Sequence, residues 1–172
     1  FIVHGLKAVG GRMSNPPSKW ARTKTLVVQP RAGRQLNAYY DGSSLRFFYS
    51  NVKGNTVYTC ESSDIVTHEL GHAVLDIFRP DLWSVQSAET MAFHESFGDM
   101  LAIVAALCHD EVIDFVIRET NGDLRQSNIV SRVAEELGQA IYNQPDKTTA
   151  SLRNAVNEFK YTDPAKLPSD GP

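Results

Sequence analysis

Cysteine is nearly absent from this chain. Cys60 and Cys108 are too few for a disulfide framework, and neither has the C-x-x-C spacing of a redox or zinc site. Long apolar runs are absent too: the longest, residues 100–108, falls far short of the roughly 20 needed to cross a bilayer, which excludes a membrane-spanning helix. Charge of one sign is also lacking. A net charge of −3 gives no basic surface for nucleic acid or an anionic membrane. There is no repeat and no low-complexity tract. The chain opens at Phe1 without a methionine or a signal-peptide pattern and stops at Pro172 just after a loop-like stretch, so it is expected to be cut at both ends. What remains, 172 residues of which 42% are hydrophobic, suits one ordinary domain or part of a larger protein.

The chain divides into two halves. Between residues 25 and 58, β-branched and aromatic residues alternate with turn signals, giving expected strands at 25–28, 36–40, 44–49 and 56–58 in an antiparallel sheet. Asp41-Gly42 is a hairpin candidate. Helices are expected at 63–78 with Ser62 or Ser63 as cap, at 87–107 with Ser87 as cap, at 110–119 and at 128–143. Residues 1–22, with Gly10-Gly11 and Pro16-Pro17, read as loop.

The first helix holds His68-Glu69-Leu70-Gly71-His72, an H-E-x-x-H segment. Positions i and i+4 share a helix face, so His68 and His72 can aim two imidazole nitrogens at one ion. Glu69 lies about 100° further round, near the open side of that ion, where it can accept a proton from water without being a ligand. A catalytic zinc needs a third protein ligand and an open position. A third histidine six residues after His72 is ruled out, because position 78 is Phe78 and position 75 is Leu75 rather than glycine. A carboxylate from the next helix is left, and Glu95-x-x-x-Asp99 supplies one at helical spacing. Glu95 then binds zinc, and Asp99, one turn on, accepts the second ring N–H of a ligating histidine, with His68 the favoured partner. Glu89 is a weaker candidate: position 93 is Phe93, so no carboxylate follows it by one turn, and it reads as a first-turn acid near the helix dipole. His94 is the nearer rival to Glu95. It points about 100° away and is read as lining the site or as a hydrogen-bonded core histidine.

These residues resemble the thermolysin family of gluzincin metallopeptidases, and the likeness runs over about residues 24–172. Asn37-Ala38-Tyr39-Tyr40-Asp41-Gly42 is similar to that family's edge strand, and Asp64-Ile65-Val66-Thr67 leads into the zinc helix as it does there. Residues 88–99 are similar to its glutamate helix, with His94 where asparagine is usual, and Ser151-Leu152-Arg153 resembles an S-L-R segment of the substrate pocket. The resemblance implies an α+β, zincin-like fold: an N-terminal antiparallel sheet with an edge substrate strand, then a zinc helix, a glutamate helix and further helices. It implies one zinc, a peptide or protein substrate held along Asn37 and Ala38, and Arg153 on a substrate carbonyl. It also implies an apolar residue after the cleaved bond, seated against Ile65 and Leu152, and a secreted or extracellular setting.

Departures from the family carry their own expectations. Trp83 stands near the place of a tyrosine that polarises the scissile carbonyl; an indole N–H still donates one hydrogen bond but is no proton donor of tyrosine's kind. The longer spacing from His72 to Glu95 implies an insertion around residues 79–81. Ala106 occupies the place of the bridging glutamate of a paired calcium site, so that double site is expected to be missing. The family's second active-site histidine is expected beyond Pro172, making residues 1–172 a single catalytic domain that is incomplete on its C-terminal side. The leading expectation is a zinc endopeptidase with Glu69 as general base; the alternative is a zinc-binding module without turnover, serving a binding or structural role.

Overall fold

In the computed structural model, residues 25–133 and 151–158 are described, together with 160, 163 and 166. The architecture is α+β: a small β-half followed by three helices. β1 (Val27–Gln29), β2 (Ala38–Tyr40) and β3 (Ser44–Phe47) form a sheet in the order β1-β3-β2. β2 pairs antiparallel to β3, but β1 runs parallel to it, so this sheet is mixed rather than purely antiparallel as the sequence suggested. The β1–β3 pair brings together residues separated by a long connection, and no local turn signal sets its direction.

The hairpin at Asp41-Gly42 has a side-chain cause. Asp41 Oδ1 accepts from the Ser43 and Ser44 backbone N–H groups at 3.0 and 2.7 Å, and Gly42 takes φ +88°, a region open to glycine at little cost. Arg46 Nε adds an ion pair at 2.8 Å. The strand expected over 44–49 breaks at Phe48, because Thr59 captures its backbone: Phe48 N–H donates to Thr59 Oγ1 at 2.9 Å, and Thr59 N–H donates to Phe48 O at 3.0 Å. Beyond the break, β4 (Tyr49–Val52) and β5 (Asn55–Tyr58) form a separate hairpin turned by Lys53 and Gly54, both at positive φ.

α1 (Ser63–Phe78) begins after Ser62 and stops at Arg79, next to Pro80, which has no N–H to continue the ladder. α2 (Ala88–Ala106) starts at Ser87, whose Oγ accepts the Thr90 N–H at 3.2 Å. α3 (Asp110–Thr120) ends at Asn121 in the left-handed region. The core joins both halves: Tyr40, Leu45 and Phe47 from the sheet, Ile65, Leu70, Ala73 and Val74 from α1, and Val133. Each large apolar side chain buried there contributes about 1.5–3 kcal/mol.

The helix expected over 128–143 is not what its first residues form. Residues 128–131 make a turn held by Asn128 and Ser131, and Arg132–Val133 is a strand, β6, paired antiparallel with β7 (Arg153–Asn154). The remainder of that helix and the loop expected over 1–22 lie outside the described residues. Cys60 and Cys108 are both free thiols. Among the described residues no helix is long and apolar enough to cross a membrane.

Candidate metal centre

α1 presents two faces. Ile65, Leu70, Ala73 and Val74 enter the core, while His68, Glu69 and His72 meet a cleft of about 550 Å³. Among the described residues, these three form the one group of His, Cys, Asp or Glu side chains whose ligand atoms all lie within 4.8 Å of one another. α2 crosses α1 where two glycines meet: a Cβ on Gly71 would come within 2.8 Å of Gly98 Cα. That close approach delivers Glu95 and Asp99 to the histidines. Glu95 Oε2 lies 3.4 Å from His68 Nε2, and Glu95 Oε1 lies 3.6 Å from His72 Nε2. On the far side of the His68 ring, Nδ1 meets Asp99 Oδ1 at 2.8 Å.

β7 adds a cation. Arg153 Nε is 2.6 Å from Asp99 Oδ2, and its Nη1 is 3.2 Å from Glu95 Oε2.

Electrostatics follow from this crowding. Burial pulls His68 down, but the Asp99 and Glu95 hydrogen bonds and the Glu69 charge outweigh it and raise the imidazole to about 9. Burial pushes Glu69 up to about 7, against the pull of His68 and of a hydrogen bond from the Tyr40 backbone N–H. Burial, reinforced by the charge of His68, holds His72 below the usual histidine range. Glu95 is held low by its hydrogen bond with His68, which exceeds the opposing effect of burial.

The remaining sequence candidates are distributed around the same cleft. Asn37 and Ala38 lie at and beside the start of β2, an edge strand among the described residues, with the Ala38 N–H donating to Asn37 Oδ1 at 3.0 Å. Ile65 and Leu152 line the cleft together with Val133. Trp83, on a short 3₁₀ turn, packs edge-on against Tyr40 with ring centres 5.2 Å apart. His94 also lines it, 5.8 Å between ring centres from His72, and its buried Nε2 has no hydrogen-bond partner among the described residues. Glu89 is exposed in the first turn of α2 and is not among the cleft-lining residues.

Residues 21–76 match the family model of the thermolysin metallopeptidase catalytic domain. The thermolysin family implies a zinc metallopeptidase acting on peptides or proteins, and its members are typically secreted. The match includes the β2 edge strand, both histidines and Glu69, and ends before Glu95, Asp99 and Arg153. Comparison with curated proteins and with solved structures gives no match.

Val133 was not legible in the thermolysin-like sequence pattern, because it reaches the cleft through the β6–β7 pair and leaves no spacing signal. Gly71 and Gly98 do leave one. A glycine inside a helix costs about 1 kcal/mol relative to alanine, and two of them beside candidate ligands point to a close helix crossing.

Proposed function

We propose that this chain hydrolyses peptide bonds with a zinc ion held by His68, His72 and Glu95 and with Glu69 as general base. The observation that carries the reading is the convergence of both Glu95 oxygens on the two imidazole Nε2 atoms, at 3.4 and 3.6 Å. Two imidazole nitrogens and one carboxylate form a donor set that suits catalytic zinc, with Asp99 holding the His68 ring so that Nε2 faces inward. Zinc bound there supplies Lewis acidity, polarising a carbonyl and acidifying water.

The chain's own residues do the rest. Glu69, buried beside the two histidines, accepts the proton of the attacking water and returns it to the leaving nitrogen. The Tyr40 backbone N–H fixes the orientation of that carboxylate. A substrate strand adds to the β2 edge at Asn37 and Ala38, a mode that relies on backbone pairing and so accepts many sequences. Ile65, Leu152 and Val133 offer an apolar pocket for the residue after the cleaved bond, with Arg153 at its rim as a donor to the substrate carbonyl. Trp83 forms part of the cleft wall.

Metal loading tests the reading. Purified protein is expected to hold about one zinc per chain and to cleave casein or a blocked dipeptide amide, with cleavage abolished by a chelator and restored by zinc. A chain extended past residue 172 that takes up zinc but never cleaves is a binding module, and protein that refuses zinc has no such site.

A further inference from the structure

We infer that Arg153 is a positioning residue of the metal centre, a forked cation that locks the Glu95 and Asp99 carboxylates into one unit. This goes beyond the carbonyl contact assigned to it above, and it rests on the zinc reading of the site.

Glu69, Glu95 and Asp99 bring three carboxylates around two histidines, and among the described cleft-lining residues Arg153 is the only arginine or lysine. Glu95 is the vulnerable member: its side chain is 51% exposed, so repulsion from its neighbours would swing it into solvent. Arg153 opposes that swing. Nη1 holds Glu95 Oε2 at 3.2 Å while Nε holds Asp99 Oδ2 at 2.6 Å. The other oxygen of each carboxylate is then committed inward, Asp99 Oδ1 to His68 Nδ1 and Glu95 Oε1 toward His72 Nε2. One guanidinium thus sets the ring angle of one ligand and the carboxylate of another.

The shape of the cation matters as much as its charge. A planar guanidinium donates to two acceptors at fixed angles, whereas the ammonium of lysine is a point charge on a flexible stem. The backbone of Arg153 is itself fixed by β6, through the Val133 pairing. With five N–H donors on the guanidinium, contact with two carboxylates still leaves donors for a substrate carbonyl.

Zinc affinity, measured by competition with a chromogenic chelator, tests this without relying on turnover. Arg153→Gln and Arg153→Lys are each expected to weaken zinc binding by about tenfold or more, as removal of the groups that orient metal ligands commonly does. Combined with Asp99→Asn, Arg153→Gln is expected to cost less than the product of the single effects, because both act through one unit. Should Arg153→Gln fail to fold, Arg153→Lys decides by the same titration. An affinity within twofold of wild type in the variants, with only the KM for peptide raised, overturns the inference and leaves Arg153 a substrate contact beside an intact zinc site. Wild-type protein that binds no zinc overturns both.

Discussion

A Cβ on Gly98 would lie 2.7 Å from His68 Nδ1, the same atom that Asp99 Oδ1 meets at 2.8 Å. The absence of a side chain at Gly98 is therefore what lets α2 rest on the back of the His68 ring and place its carboxylates. Gly71, on the facing helix, completes the crossing.

Gly98→Ala is expected to push the His68 ring away or to part the helices. Alanine favours the helix by itself, so any loss comes from overpacking, typically about 1–3 kcal/mol. A lowered unfolding midpoint together with zinc affinity reduced about tenfold or more is the expected result. Unchanged affinity would mean that the crossing has room the structure denies.

Away from the cleft, Asp41 governs the β2–β3 turn and gives a pH signature. Burial acts to raise its carboxyl, but hydrogen bonds from Ser43 and Ser44 outweigh it and hold it well below the usual range. A folded value below the unfolded one stabilises the fold above the ordinary aspartate value of about 3.9, and that contribution is lost as pH falls from there through the folded value. Asp41→Asn is expected to cost about 1–3 kcal/mol at pH 7, with the gap to wild type narrowing in acid. Urea unfolding across pH 3–7 measures it; a gap that widens in acid contradicts the assignment.

Local signals made α1 and α2 legible in the sequence: Ser62 and Ser87 before apolar periodic runs, and histidines at helical spacing. The Asp41-Gly42 hairpin was legible for the same reason, since a side chain and a glycine within the turn create it. Long-range capture was not. The break at Phe48 depends on Thr59, eleven positions away, and the direction of β1 depends on a partner across a long connection. The expected helix over 128–143 gave way at its start because Arg132 and Val133 pair with a strand twenty residues later. In the candidate site, the spacing of Glu95 and Asp99 was readable along one helix, whereas Arg153 meets them only through the tertiary fold.

The central claim is a division of labour between two glutamates, and one paired measurement tests it most directly: zinc affinity and peptide hydrolysis of Glu69→Gln beside Glu95→Gln. As a base that does not hold the metal, Glu69→Gln is expected to keep wild-type zinc affinity while hydrolysis falls by about 10²-fold or more. Glu95→Gln is expected to lose zinc affinity itself. A Glu69→Gln protein that cleaves as fast as wild type, or one that releases its zinc while Glu95→Gln retains it, contradicts the account.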